Sequence, residues 1–455
     1  MTDKLQQYIK DKYDGASDWF VEEVQSVSNQ QRVQDVISKK KYLNGEHKIL
    51  QRQPYKYNGK VVEPRRIVLQ YAKTLLNFQK SYLLANKITL TGNEEVVRAL
   101  NNVNRKGKYD RVNMSILGSV LKYGNMAEYI YVEDGVIKSK LIDPSECYPV
   151  YDHENNLIAL IQAYMCDGVE YYTVYEKDTV SEYNNAGGTL RMTGRFHNLS
   201  GLPIVYKSDN ELSNTEGRSE LDDWIEILDN MEDLISKYTD SFYRFMNPVP
   251  VVIGLDLKGE GLPSDVVGAG IRLDDGGEFR FEGNGLDYKS FETVYKTLLQ
   301  ELLDISQVPA VSMNKTDVSN LSEFSIRLLY SLADVKASIN EQYMRDGIEQ
   351  RHDVIRRLLG YQGVKFTDEQ WDSLNMVFQY NTPSNNTEII SNLKELREMG
   401  GISLESLLEQ SPYTTDIASE LQRLGSEKVI AGNDLGNSES RKVETESESK
   451  SENVL

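Results

Sequence analysis

The chain has 455 residues, with 51 Lys and Arg against 70 Asp and Glu and a formal net charge of −19, a length that allows roughly two to four domains. With 39% hydrophobic and 27% charged residues it can bury real cores, which excludes a disordered polymer, and its acidity excludes a conventional duplex-DNA binder built on clustered Lys and Arg. Cys147 and Cys166 make no disulfide framework and no CxxC pair, no run reaches the ~18 apolar residues of a membrane span, and the start MTDKLQQYIKDKYDG lacks a signal-peptide core; a reducing, cytosolic setting without a membrane is expected.

To about Tyr123 the apolar spacing predicts helices, with Trp19, Phe20, Val24 and Val27 on one face and Ile67, Tyr71, Leu75, Phe78 and Tyr82 on another. Pro64 fits a helix start, and Asp110 is a candidate cap for a helix through Leu121. Between them, Lys39, Lys40 and Lys41 read as a solvated helix end, and Gln53-Pro54-Tyr55 to Asn58-Gly59 as the loop of a helix-loop-helix passage.

After Gly124 short Tyr-, Val- and Ile-rich runs at 129–132, 136–142, 147–151, 157–165 and 171–175 predict strands. Glu133-Asp134-Gly135, Asp143-Pro144, the 152–156 stretch and Asp167-Gly168 supply turns for a meandering antiparallel sheet, which Asn184 to Gly188 and Asn198 to Gly201 close.

Ser219 caps a helix whose three-or-four spacing runs from Leu221 to Phe245. It stops at Asn247-Pro248-Val249-Pro250, before a Gly-rich stretch with strand signals at 251–253, 271–273 and 279–281. A second helix covers 288–306, a polar loop 311–320, and a third helix opens at Ser322 and runs to Gly360, about 57 Å at ~1.5 Å per residue. Residues 364–366 and 376–378 read as strands, 386–399 and 404–408 as helices, and the Ser/Glu-rich chain from Ser426 onward as disordered.

Catalytic signatures are missing. There is no GxxxxGK[ST] loop, the glycines between 259 and 285 form no GxGxxG, and His47, His153, His197 and His352 form neither HExxH nor a zinc spacing. Ser219 lies in no GxSxG elbow. Asp143, Asp152 and Asp167 sit at turns, where Asp bonds its own backbone, and the acidic 209–223 stretch lacks an EF-hand pattern. No cofactor is called for. The 28 tyrosines admit base stacking but fit strand faces and interfaces better.

The order of these parts resembles the portal proteins of tailed bacteriophages, specifically the siphophage type. The carrying segments are 82–88 (YLLANKI), 117–131 with Tyr123-Gly124-Asn125-Met126-Ala127, 142–152 (IDPSECYPVYD), Leu202-Pro203-Ile204-Val205 and Gly217-Arg218-Ser219-Glu220-Leu221, and the likeness runs from about Tyr42 to Leu408. It implies an α+β portal fold with a mixed wing (1–219), a stem helix (220–246), a small β clip (247–286), a second stem helix (287–307), a tunnel loop (308–321), a long helix (322–360), wing return strands (361–385), a helical crown (386–425) and an acidic tail (426–455). It further implies a non-enzymatic ring, usually of twelve subunits, at one capsid vertex of the virion, assembled in the host cytoplasm and passing duplex DNA without sequence specificity during packaging and ejection. Implied partners are the large terminase subunit and a head-tail adaptor at the clip, and scaffold and major capsid proteins around the wing.

In that frame Lys315, with Asn314 and Thr316, would face DNA from the tunnel loop, while Asp256, Lys258, Arg272 and Arg280 would serve docking on the clip. Where relatives often carry an aromatic-Gly and then Ser-Gly before the long helix, this chain has Asp317-Val318-Ser319-Asn320-Leu321-Ser322. Two other readings stay open: a phage assembly or scaffold protein with its long helices in a coiled coil, and a metal-dependent hydrolase using Asp143, Asp152 and Asp167.

Overall fold

The computed structural model describes residues 3–57, 60–245, 249–253, 278–282, 287–310, 322–383, 386–414, 420–421 and 423–426. They fall into two compact units, one drawn from 1–314 with 331–381 and the other from 315–330 with 382–455.

The first unit opens with α1 (Asp3–Tyr13), α2 (Trp19–Gln25) and α3 (Val27–Leu43). Trp19, Phe20 and Val24 are buried as expected, but Val27 is 74% exposed, because Ser26 breaks the helix in extended geometry and turns the next residue off that face. Then β1 (Tyr55–Tyr57) pairs antiparallel with β2 (Lys60–Val62), so the passage expected as a helix-loop-helix connection is a hairpin. Pro64 does not start a helix; α4 (Tyr71–Leu84) begins seven residues later, and the chain between is committed to side-chain hydrogen bonds described below. β3 (Thr89–Thr91) precedes α5 (Glu94–Gly107), whose Asn93 side chain accepts from the Glu95 and Val96 N–H groups. In α6 (Tyr109–Tyr123) Asp110 occupies the first turn, and the cap position is Lys108 in left-handed geometry.

β4 (Asn125–Glu133), β5 (Val136–Ile142), β6 (Cys147–Tyr151), β7 (Leu157–Cys166), β8 (Val169–Tyr175), β9 (Thr179–Asn184), β10 (Arg191–His197) and β11 (Ile204–Lys207) follow. They form two antiparallel sheets rather than one meander, ordered β10-β9-β8-β7-β6 and β11-β4-β5. The alternation of side chains gives the larger sheet two apolar faces. Tyr148, Val150, Ile161, Tyr172 and Val174 pack with Leu5, Ile9, Trp19, Phe20 and Val33 of the helical layer, whereas Cys147, Leu160, Tyr175 and Val180 pack with Ala127 and Ile142 of the smaller sheet.

α7 (Leu221–Phe245) starts where the Ser219 hydroxyl accepts from Leu221 N–H and donates to the Lys122 carbonyl. β12 (Val249–Ile253) pairs antiparallel with β13 (Glu278–Glu282), and the 271–273 signal lies outside the described residues. α8 (Tyr288–Ser306), capped by Asp287, packs on α7 through the Tyr238–Phe291 stack, with ring centroids 3.8 Å apart. α9 (Glu323–Tyr361) has its first turns in the second unit and the remainder in the first. Residues 364–366 form no strand; Thr367 instead closes a capping box on α10 (Asp368–Asp372), which buries Trp371. β14 (Asn375–Val377) returns to pair with β3.

The second unit contains α11 (Asn386–Glu398) and α12 (Leu404–Gln410), with Leu393 and Leu408 buried and Ser403 capping α12. Within it the Glu323 N–H donates to Glu388 at 2.8 Å.

Candidate functional site: the anchored long helix

The part of α9 in the first unit buries Ala333, Ala337, Asn340, Met344, Ile348, Arg351, Ile355 and Leu358, a stripe of three-or-four spacing with a cation in its middle. Arg351 Nε donates to Glu128 Oε2 at 2.9 Å and its Nη1 to Asn113 Oδ1 at 2.6 Å. Tyr206 donates to Glu128 Oε2 at 2.6 Å and Ser139 to Oε1 at 2.5 Å, while the guanidinium lies over the Tyr109 ring. One buried charge pair thus joins α9 to α6, β4, β5 and β11. Burial works against the Arg351 charge, but Glu128, Tyr206 and Tyr109 outweigh it and hold the proton more tightly than usual. Nearby, Gly347 lets the helix approach the Tyr206 ring, which a Cβ there would strike. Further ties come from Lys336 to Glu220 at 2.5 Å, Tyr380 to Glu341 at 2.7 Å, Tyr343 to Asp209 at 2.6 Å and Tyr82 to Asp334.

α7 is fixed by a second device. The N–H groups of Arg65, Ile67 and Leu69 donate to Asp240 (2.8 Å), Ser236 (3.0 Å) and Glu232 (2.7 Å). Two residues of extended chain advance ~6.6 Å and four residues of helix ~6 Å, so every second amide meets every fourth side chain. Glu232 Oε1 also bonds His47 Nδ1 at 2.6 Å, His47 stacks on Tyr42, and Arg52 pairs with Asp240 at 2.9 Å. Burial raises the Glu232 carboxyl above its ordinary range.

Apolar side chains are left facing outward on these helices. Leu332, Val335 and Ile339 are 50%, 50% and 37% exposed on one face of α9, which continues into Gln342, Asp346 and Gln350 a turn later. Phe242, Tyr243, Tyr288, Val294 and Ile305 are exposed on α7 and α8.

The expected site residues fare differently. Asn314, Lys315, Thr316, Asp256, Lys258 and Arg272 lie outside the described residues, as does the tail beyond Ser426; Arg280 is a β13 position opposite Val251. Asp143 accepts from Ser145 N–H and Lys40, Asp152 from the N–H groups of Glu154 and Asn156 and from Lys4, and Asp167 sits in a left-handed turn. Each does turn chemistry, and no group of three or more His, Cys, Asp or Glu among the described residues is placed to hold a metal ion. Lys39 is not solvated: its ammonium is buried between Asp35 and Asp222, and Lys40 pairs with Asp143. His352 is a core histidine. Glu128, Arg351, Glu232 and Asp240 escaped the sequence reading; the available signal was a charged residue in phase with an apolar stripe.

Among the described residues no helix is long and apolar enough to cross a membrane. No curated protein sequence matches the chain. Solved structures similar to it include the neck of an empty gene transfer agent (GTA) particle computed with C6 symmetry (10% identity, TM-score 0.45, covering 73% of this chain and 86% of that one). A native GTA virion (12%, 0.43, 74% and 87%) and a native GTA neck computed with C12 symmetry (12%, 0.44, 74% and 89%) are similar to the same degree. The sequence model of the phage portal protein family, SPP1 Gp6-like, matches residues 27–431. A match over that much of the chain decides the matter: this α+β chain belongs to the SPP1 Gp6-like family of phage portal proteins.

Proposed function

We propose that the chain acts as a structural, non-enzymatic portal subunit, assembling into a ring, of twelve copies in the usual case, at one capsid vertex of the virion and passing duplex DNA in packaging and ejection. The observation that carries this reading, beside family membership, is the outward apolar face of α9 at Leu332, Val335 and Ile339 on a helix whose opposite face is riveted into its own subunit. A monomer gains nothing by exposing such a row, whereas a head-to-tail ring buries it repeatedly.

In this reading α7 and α8 are the stem, and the antiparallel pair β12–β13 belongs to a clip where Asp256, Lys258, Arg272 and Arg280 meet the large terminase subunit and a head-tail adaptor. The 311–320 segment, with Asn314, Lys315 and Thr316, faces the DNA. The residues to 219 and the 361–385 return form the wing, against scaffold and major capsid proteins, and 386–425 the crown. Each subunit adds −19 to the ring, and an acidic lumen lets phosphates slide rather than bind. DNA packaging requires a separate terminase ATPase, consistent with the missing phosphate loop.

Negative-stain electron microscopy with mass photometry tests the reading. Rings with an axial hole wide enough for duplex DNA support it; closed dimers at every concentration, and also in the presence of the scaffold protein, overturn it.

A further inference from the structure

α5 is amphipathic: Val96, Leu100 and Val103 are buried, and Arg98, Asn102 and Arg105 share the outer face. Seven residues of helix place Arg98 and Arg105 ~10 Å apart. Opposite them runs the chain that follows α9, with Val364, Lys365 and Phe366, and the two walls enclose a groove of about 980 Å³ within the first unit. Arg98, Asn101, Asn102, Arg105 and Lys365 are exposed, Val364 is 41% exposed, and Phe366 is half-buried against Trp371. Arg105 bonds the Asn102 amide oxygen at 3.3 Å, and among the described residues none of the three cations forms an ion pair. In a chain of net charge −19, a groove lined by three cations against the single carboxylate of Glu95 is a local inversion of sign.

We propose that this groove docks an acidic peptide: a polyproline-II-like segment of a partner protein with carboxylates three residues apart on one face and an apolar residue between them. Three residues of polyproline II make one turn and span ~9 Å, which returns the second carboxylate to the face of the first and matches Arg98 to Arg105. The apolar residue lies on Val364 and Phe366, and the Asn101 and Asn102 amides face the peptide backbone. Nucleic acid is the poorer fit, because the cations are hemmed in by carboxylates. Glu95 lines the groove and accepts from Gln370, Asp368 pairs with Arg356 at the mouth, and Glu94 and Glu369 are exposed alongside. A continuous run of phosphates would meet all of these acids, while a short acidic stretch between Arg98 and Arg105 passes only Glu95, which the Gln370 amide engages. This inference does not depend on the ring.

The test is selection of a displayed library of random linear peptides on the full chain, followed by binding measurements on the recovered peptides. Expected are sequences enriched in Asp and Glu around an apolar residue, binding at least about tenfold more weakly to R98E/R105E/K365E. Unchanged melting of the variant verifies its fold, and the neutral R98Q/R105Q/K365Q replaces it if the reversal does not fold. Recovered peptides without acidic enrichment, or bound equally by the variant, overturn the proposal. So does displacement of the peptides by a single-stranded oligothymidylate acting through the same three cations, which would reassign the groove to nucleic acid.

Discussion

Arg351 Nε and Glu128 Oε2 meet at 2.9 Å with 2% and 0% of their side chains exposed, more than two hundred residues apart in the chain. The two charges have left water together, so their joint removal and the removal of one have different consequences. Glu128→Ala or Arg351→Met is expected to lower unfolding stability by about 3–5 kcal/mol, since either leaves one buried charge uncompensated. The double variant Glu128→Leu, Arg351→Met should lose much less than the sum. Urea unfolding measures both, and single losses below about 1 kcal/mol would show that α9 is held by something else.

The strap on α7 predicts an alternating pattern. The amides of Arg65, Ile67 and Leu69 should exchange slowly with deuterium while those of Arg66 and Val68 exchange fast, because only the odd series reaches Asp240, Ser236 and Glu232. Ser236→Ala should cost about 1 kcal/mol and release Ile67 selectively. Uniform protection across 65–69 would contradict the pairing.

Local periodicity made much of this fold legible. α8 coincides with the stretch predicted from sequence, and β5 and β6 likewise. The failures share a cause: their partners are remote. Pro64 and Ile67 carry helix signals, yet their segment is claimed by side chains some 170 residues downstream, as in the Ile67–Ser236 bond. Lys39 looked solvated because Asp222, which buries it, is equally distant in sequence. Arg351 and Glu128 each break an apolar pattern, but nothing local says that they break it for one another. β9, β10 and β11 went unseen because β10 is almost wholly exposed, and β9 buries a single apolar side chain and β11 two, too few to mark a strand.

His352 gives the protein a specific acid response. Burial, and then the neighbouring Arg351 charge, push its imidazole down to about 3 from the ordinary 6.5. The folded state therefore binds fewer protons than the unfolded one between those values, so this contribution is complete above about pH 6.5 and is lost as pH falls toward 3. Glu23 and Asp143, both held low by hydrogen bonds that outweigh burial, lose their contributions only below the ordinary carboxylate range. Glu232, raised by burial, works in the opposite direction. Between pH 6.5 and 4.5 the wild-type chain should thus lose about 2–3 kcal/mol relative to His352→Gln. Parallel urea curves at the two pH values would show that the imidazole titrates normally in the fold.

The outward row on α9 separates assembly from folding. Leu332 and Val335 are half exposed, so Leu332→Glu and Val335→Glu remove little packing within the subunit and should leave the melting temperature of the monomer nearly unchanged, within about 0.5 kcal/mol in stability. In a ring the exposed half of each of these side chains is buried against a neighbour and contributes about 0.8–1.5 kcal/mol, and a glutamate would carry an unpaired charge into that contact. The loss is repeated at every junction, so the variants are expected to shift the mass distribution from rings to monomers at concentrations where the wild-type chain assembles. Gln342→Leu extends the apolar row by one turn at a position that is polar and exposed, and it tests where the contact ends. If the ring contact stops at Ile339, this change leaves assembly as it was, whereas a stronger ring would place the neighbour further along the helix. Glutamate variants that melt early would show instead that the row is covered by the subunit itself, and variants that melt normally and still form rings would remove α9 from the interface altogether.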